Sequence, residues 1–594
     1  MVLTVADSVP RVKQPSRGGN FTSGKVVSPA PMPLWGAVLV AALAGPVMDG
    51  AFPDRGIWPL AFVGIALVLL TLRGRRAGGG FLVGLVFGLS FYLVHIQWAT
   101  LFLGIIPWLA LSTLEALFVA LGGMAITLCY RWVPQVWADR RPKLGSAGSL
   151  VSTAGLGRLG LLPLAVAGLW TAREAISAVW PYGGFSWGRV AMSQSESPFA
   201  VLFAWLGISG VSFAMVWLVA FAIELVLTVV LIVARASRGT SGFARYVYLP
   251  REALRTARSA SRPARRPASG PAGGPALRAL LAFGIAVSAL LAVPTWQTPT
   301  AGTLKVAAIQ GNTKSGYFDL RAYEGEILTG HIAATVPVLS AHADVILWPE
   351  GAADLDPLDI PAAADAIDFL ALQAGAPIIL GTITQREDKY FNSSLLWQPG
   401  LGVTAIYDKR HPVPFGEYVP DRKFWEPFAP DLIGLIGREY APGTTDPVFD
   451  LVTRAGEQVS VAVNICFDIV DDALLRQSVD DGAQVIFAQS NSADFGRTDQ
   501  SVQQLAIARI RALETGRAVI NDSTVGTTAI IAADGTTLDQ LPTYTVGALV
   551  DDVQLHTGQT PAVLLGAQLE LLVTLFGLAT LILAGVLRLH RRMA

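Results

Sequence analysis

The chain holds two cysteines, and only one stands where a thiol can react. Cys129 lies inside an apolar run. Cys466 instead ends a β-like run, Val459-Ser460-Val461-Ala462-Val463-Asn464-Ile465, and is followed by Phe467-Asp468. A thiol at the tip of a strand, where a turn begins, is presented rather than packed. Upstream, Glu350 closes a Trp348-Pro349-Glu350 corner and Lys409 sits in Tyr407-Asp408-Lys409-Arg410, each at the end of a predicted strand. Together these residue types make a nucleophilic acyl-transfer site. A free cysteine has a pKa of about 8.5 and needs a base or a positive charge to become the attacking thiolate. Glu350 is the natural general base. Protonated Lys409 cannot accept a proton but stabilises thiolate and oxyanion, and the backbone N–H of Phe467 is a second oxyanion donor. Plainer readings exist: a small core hydrophobe at 466, an ordinary ion pair between 350 and 409. The order of the three, each at a strand end, favours chemistry. His411 suggests a Cys–His pair, but its neighbours are the lysine segment and nothing marks a third, orienting group.

For these residues to meet, the strands that carry them must lie side by side. From Leu304 onward short β-rich runs alternate with helical ones. Strands are expected at 304–309, 344–348, 377–383, 394–398, 403–407, 459–466, 484–489, 517–521 and 527–532. Helices are expected at about 320–340, 361–374, 471–480 and 500–515. The alternation predicts an α/β sandwich whose sheets are covered by helices, and the roughly 260 residues suffice for one large domain.

The rest of the chain is apolar. Hydrophobic residues make up 52% and charged ones 15% of 594 residues, with equal numbers of acids and bases; the mean hydropathy is +0.49. A membrane crossing needs ~20 mainly apolar residues. Such runs lie near 34–52, 57–72, 80–97, 105–130, 161–180, 210–234, 277–297 and 563–587. The fifth contains Arg173 and Glu174, expected near the interface; with His95 they are the polar groups of this region to test. Basic residues crowd the tail before the first run, the connections after the second, fourth and sixth, and the C-terminus. The connections after the first, third and fifth hold few. By the positive-inside rule both termini are cytoplasmic, there are eight crossings, and residues 298–562 lie on the outer face. The first run reads as an anchor rather than a cleaved leader. The expected organisation is a disordered tail at 1–31, a membrane domain of seven spans at 32–297 with a basic disordered loop at about 236–276, a catalytic domain at 298–562, and an eighth span with a short basic tail at 563–594. The Pro/Gly/Ser-rich stretch 259–275 reads as a solvated, topology-setting loop whose arginines can also contact anionic lipid.

The order Glu, Lys, Cys resembles the carbon–nitrogen hydrolase (nitrilase) superfamily, whose members carry that triad in that order. Strand–W-P-E matches Glu350, the D-K-R-H-x-V-P-F-G-E-Y-V-P run matches Lys409 through Pro420, and strand–Cys matches Cys466. Within it, the eight apolar runs, Gln310-Gly311-Asn312 and the segment Arg509 to Arg517 are similar to the apolipoprotein N-acyltransferase family. The resemblance covers nearly the whole chain apart from the tail and the basic loop. It implies a multi-pass membrane domain joined to an extracytoplasmic αββα sandwich in a bacterial plasma (inner) membrane. The implied reaction transfers the sn-1 acyl chain of a membrane phospholipid, through a Cys466 thioester, to the N-terminal amine of a diacylglyceryl-modified apolipoprotein. Glu417 is implied to support Lys409 or assist the base, with a purely structural hydrogen bond as the alternative; Asn392 positions a carbonyl or forms an Asx turn. The chain departs from the family pattern in reading Phe467-Asp468 where an aromatic and Glu are usual, which puts in doubt whether that carboxylate holds Lys409 or the base. It also reads Asn491-Ser492-Ala493-Asp494-Phe495-Gly496 where relatives often carry N-D-A-W-F-G.

Residues 418–437 are too apolar for a solvated loop and too broken by Pro and Gly for a core strand. They are expected to form a lid dipping into the membrane interface through Phe424, Trp425, Phe428, Leu432 and Ile433, or else to fold back as a core flap. The outer connections 100–107 and 181–198 are expected to frame a sideways entrance. No metal, cofactor or nucleic-acid motif is present, and a monomer is expected. Two other functions compete. A membrane-tethered amidase or nitrilase using water would need only one or two spans. A non-catalytic transporter or scaffold would have no reason to keep the triad.

Overall fold

The computed structural model describes residues 32–138, 157–236, 274–317 and 319–593. The tail to residue 31 and positions 237–273 of the basic loop lie outside the described residues. Helices occupy all eight predicted apolar runs: α1 Leu34–Asp49, α2 Pro59–Leu72, α3 Ala77–His95, α4 Ile105–Ala138, α5 Leu162–Ser177, α6 Phe203–Ala236, α7 Gly274–Leu291 and, after the sandwich, a C-terminal helix Pro561–Met593. Among the described residues five stretches are long and apolar enough to cross a membrane: Ala77–His95, Ile105–Val136, Leu159–Ser177, Ala200–Val230 and Pro561–Arg591. The first two helices are shorter. Small residues bring the helices together. Gly84 and Gly88 of α3 face α4 so closely that a Cβ would lie 2.8 Å from Val119 O and 2.7 Å from the Ala116 Cα, the close-packing mode of helices that cannot rely on water to drive them together.

After α7 come β1 Thr300–Gln310, α8 Glu326–Thr335, β2 Val345–Leu347, α9 Pro361–Ala374, β3 Ile378–Arg386, β4 Lys389–Gln398, β5 Gly402–Asp408, β6 Val448–Val452, β7 Gln458–Ile465, α10 Asp472–Asp480, β8 Val485–Ser490, α11 Gln500–Thr515, β9 Ala518–Ser523, β10 Ala529–Ile531, β11 Thr537–Gln540 and β12 Gly547–His556. The C-terminal helix is then α12. The strands make two six-stranded sheets, ordered β12-β1-β2-β3-β4-β5 and β11-β10-β9-β8-β7-β6. Alternation along each strand sets the layers. On β7, Val461, Val463 and Ile465 enter the core between the sheets, while Ala462 faces outward. On β1, Leu304, Val306 and Ala308 join that same core, and Ala307 and Ile309 pack under α8 and α9. The result is the expected αββα sandwich.

The two outer layers differ. The layer over the second sheet shares one continuous hydrophobic cluster with the helical body, from Ile65 and Phe203 through Ile469 and Leu475 to Ile507 and Ile510. The sandwich is therefore packed onto the body by one face. The sequence reading missed β6, β11 and β12, which are edge strands. β6 and β11 are short and half-solvated, and β12 carries Asp551-Asp552 in its middle, so the apolar signal is diluted.

Glu174, and most of Arg173, is packed within the helical body. Glu174 is 1% exposed, and its Oε1 accepts from Trp170 Nε1 at 2.8 Å and Val190 N at 3.1 Å, so it pins the loop after α5. His95 pairs with Asp49 at 3.0 Å and stacks on Phe91.

Candidate active site

Each of the three predicted residues leaves the C-terminal end of a strand, and the sheets place those ends together. Cys466 follows β7 with φ +50°, a left-handed conformation that costs a non-glycine residue about 1–3 kcal/mol and is held only by its surroundings. The surroundings are a 3₁₀ turn, Cys466–Val470. Asp468, fully buried, closes it: one oxygen accepts both the Ile465 N–H at 3.2 Å and the Tyr407 hydroxyl at 2.8 Å. Thus the Phe467-Asp468 departure yields a carboxylate that fixes the cysteine turn to β5; its hydrogen bonds go there rather than to Lys409. Asp468 closes the turn, and Phe467 packs against the helical body. The first N–H groups of such a turn have no acceptor within it, which keeps the Phe467 N–H suited to an oxyanion.

Glu350 follows β2. Trp348 before it is fully buried, its Nε1 bound to Thr335 Oγ1 at 3.0 Å and its carbonyl accepting Gln489 Nε2 at 2.6 Å. Pro349 passes so near β3 that a Cβ on Gly381 would sit 2.4 Å from its carbonyl oxygen, so only glycine fits there. Lys409 follows β5, its N–H bound to the Asn392 carbonyl at 2.8 Å.

The ammonium of Lys409 lies 2.9 Å from the Glu417 carboxylate and 3.7 Å from Glu350 Oε1. Asn392, on β4, donates from Nδ2 to Glu350 Oε1 at 2.8 Å and to Glu417 Oε1 at 2.9 Å. Its role is to bridge the two carboxylates, not to form an Asx turn. Glu417 Oε2 also accepts the Val413 N–H at 2.6 Å, which ties the lysine segment into a tight loop. Asn491, which sequence reasoning did not single out for this role, donates its backbone N–H to Glu350 Oε2 at 2.8 Å. A backbone donor leaves no residue-type signature.

The electrostatics follow from burial and charge count. Burial raises the Glu350 carboxyl above its usual range, Lys409 opposes and the Glu417 charge adds to the rise. Burial alone would lower the Lys409 ammonium, but Glu417, Cys466 and Glu350 more than offset it and keep it charged. The Cys466 thiol is pushed well up by burial and by Glu350, against the pull of Lys409. The resting state is a neutral thiol beside a carboxylate, so attack on an acyl carbon requires Glu350 to take the thiol proton as the bond forms. His411 instead pairs with Asp471 at 2.6 Å.

Cys466, Glu350, Lys409, Glu417, Asn392 and Phe467 line one cavity of about 1110 Å³, above the ~300–1,000 Å³ typical of small-molecule sites. Its apolar walls come from the end of α4 (Ile106, Ala110, Leu114), from the connection after α5 (Pro181, Phe185, Trp187) and from Trp425, Phe428, Leu432 and Ile433. The two outer connections expected to frame an entrance therefore do line it. Phe467 stacks on Phe185 and Trp187 at 6.1 and 6.5 Å, so the residue after the nucleophile is held by the helical body. Within 418–437 three short helical turns form, Arg422–Trp425, Glu426–Phe428 and Pro430–Gly434. Ile433 and Ile436 are buried with Val419, whereas Phe424 and Phe428 are 59% and 74% exposed. Among the described residues no three His, Cys, Asp or Glu side chains gather to hold a metal.

A nitrilase-like sandwich with its Glu, Lys and Cys at converging strand ends, mounted on long apolar helices, defines the class: a membrane-associated carbon–nitrogen hydrolase. Family models agree, Apolipoprotein N-acyltransferase N-terminal domain over residues 44–221 and Carbon-nitrogen hydrolase over residues 305–561. The chain is 30% identical to an apolipoprotein N-acyltransferase of Mycolicibacterium smegmatis, over 96% of this chain and 87% of that one. It is 26% identical to that of Vibrio parahaemolyticus over 88% and 92%. The chain belongs to the apolipoprotein N-acyltransferase family. Among solved structures, an amidase from Nesterenkonia sp. is similar to it at 15% identity and TM-score 0.30, covering 44% of this chain and 94% of that one.

Proposed function

We propose that this protein transfers an acyl chain from the sn-1 position of a membrane phospholipid to the N-terminal amine of a diacylglyceryl-cysteine in apolipoproteins. The observation that carries the reading is the meeting of Cys466, Glu350 and Lys409 on the wall of a cavity whose remaining walls are apolar and partly built by α4. Glu350 takes the thiol proton as Cys466 attacks the ester carbonyl. Lys409 and the Phe467 N–H stabilise the oxyanion. The proton passes from Glu350 to the departing lysophospholipid, and a thioester remains. The amine of the second substrate then attacks the thioester, a ping-pong course.

Both substrates are lipids, which is why the site is set against apolar helices rather than open water; a greasy surround also limits hydrolysis of the thioester. The topology fitting this reading has eight crossings, cytoplasmic termini and the catalytic domain, residues 298–562, on the outer face of a bacterial plasma membrane. Exposed Phe424 and Phe428 suit a lid whose tip meets the membrane interface. The chain acts as a monomer in this scheme.

Intact mass of purified protein incubated with a defined phospholipid tests it, comparing wild type with Cys466→Ala. A gain of one acyl mass, removed by hydroxylamine and absent from the variant, is expected. Absence of acylation in a folded wild type with every phospholipid tried would overturn the reading, and discharge of the thioester to water alone would favour a hydrolase.

A further inference from the structure

Several ionisable groups line the cavity beside the triad, and one of them shares a short segment with a donor to Glu350. Asp494 lies on the turn Ala493–Phe495 and lines the same cavity as Cys466 and Glu350. Its Oδ1 accepts the Tyr317 N–H at 2.6 Å. The turn is held from the helical side, where Phe495 packs edge-on against Trp98 at 5.0 Å. Asn491, three residues earlier, is the group that donates to Glu350. Three residues span at most ~11 Å, so a single short segment anchors both carboxylates.

Burial raises the Asp494 carboxyl to about 6, with the Tyr317 N–H opposing, Glu350 and Asp319 adding to the rise and Arg321 pulling it back. Such a group is mostly ionised at neutral pH yet basic enough to take a proton. Glu350 is less suited to meet an incoming cation, because its oxygens already accept from Asn392 and Asn491 and face Lys409.

We propose that Asp494 receives the protonated primary amine of the acyl acceptor, holds it in the cavity and takes its first proton. The inference rests on the N-acyltransferase reading. The ammonium gives one proton to Asp494. The amine lone pair attacks the thioester carbonyl carbon, the new C–N bond forms and the C–S bond to Cys466 breaks. The second N–H proton passes through Glu350 to the cysteine sulfur, and Asp494 returns its proton to solvent. The acceptor class is therefore a lipid whose polar end carries a primary ammonium; a neutral hydroxyl gains nothing from the carboxylate.

Asp494→Asn keeps an oxygen for the Tyr317 N–H, so the turn is retained and only the charge is lost. Enzyme is loaded with acyl groups from phosphatidylglycerol and freed of lipid, and transfer to a diacylglyceryl dipeptide is then followed across pH. Relative to loading, transfer is expected to slow at least tenfold in the variant, and by up to the ~10²–10⁴ that a positioned base supplies. Asp494→Glu should recover part of the rate. Wild-type transfer should rise with pH through the weakly acidic range, and in the Asn variant only the limb set by Glu350 should remain; the ionisable groups facing Asp494 are Glu350, Asp319 and Arg321. Equal transfer by wild type and Asn variant after equal loading overturns this inference alone. Failure of wild type to load overturns the enzyme reading, and this inference with it.

Discussion

At the joint between helical body and sandwich, two cations converge on one carboxylate; at the cavity, two carboxylates converge on one cation. Arg189, from the connection after α5, makes a paired contact with Asp472 at 2.7 and 2.8 Å. Arg511 of α11 reaches the same carboxylate at 2.7 Å and also pairs with Glu514. Burial would raise the Asp472 carboxyl, but Arg189 and Arg511 hold it far below the usual carboxylate range. Around Lys409 the balance is reversed, and burial together with Glu417 raises Glu350. Both clusters are removed from water, and the local charge majority decides what each can do. A carboxylate outnumbered by guanidiniums stays ionised and acts as a clamp. A carboxylate that shares a single ammonium is raised by burial and its neighbour's charge, and so is a better base.

The largest expected effect is on catalysis. Lys409→Met removes the cation that pairs with both carboxylates and an oxyanion partner, and acylation of Cys466 should fall by about 10²–10³-fold or more, as for loss of one oxyanion donor. Single-turnover release of lysophospholipid measures it, and near-normal release would mean that Lys409 has no such role. Next comes stability. Asp472→Ala leaves buried Arg189 without its carboxylate and Arg511 with Glu514 alone, and should cost about 3–5 kcal/mol, read as a lower Tm. Glu350→Gln, by contrast, removes a charge that its site disfavours; it should raise Tm while abolishing acylation, and a lowered Tm would deny the contrast between the clusters.

Acidification separates the two regions as well. Glu350, raised, is needed ionised, so activity is lost as pH falls through a value above the ordinary ~4.3. Asp472, lowered, contributes stability that is present above the ordinary ~3.9 and is lost only as pH falls through its still lower folded value. Activity should therefore disappear while the protein, followed by circular dichroism, stays folded; coincident loss would contradict this. The smallest effect concerns the lid. Phe428→Ser should weaken use of vesicle phospholipid by roughly 1 kcal/mol, about fivefold in KM, if the ring enters the interface, with kcat unchanged.

Much of this was legible in the sequence, and the reasons are local. The strands before Glu350 and Cys466 are β-branched or apolar runs because β2 and β7 are central strands buried on both faces, and such runs survive without context, whereas β5, before Lys409, is an edge strand. The lysine segment carried its own signal because Lys409, Val413 and Glu417 are bonded to one another within nine residues. What stayed hidden depended on distant partners. Asn392 reads as any strand asparagine until β4 brings it between Glu350 and Glu417. Asp468 reads as a shortened supporter of the lysine until the tyrosine of β5 lies against it. Arg511 was quoted only as part of a run, and Arg189 only joins it across the joint.

The sequence by itself determined the apolar helices, the alternating sandwich and the three candidate reactive side chains, since each rests on periodicity or on neighbours a few residues away. Only the tertiary structure decided how those side chains are charged and which groups share their cavity. Those properties arise from Coulomb interactions and desolvation between groups up to several hundred residues apart, and they exist only once the two sheets and the helical body have closed around the cavity.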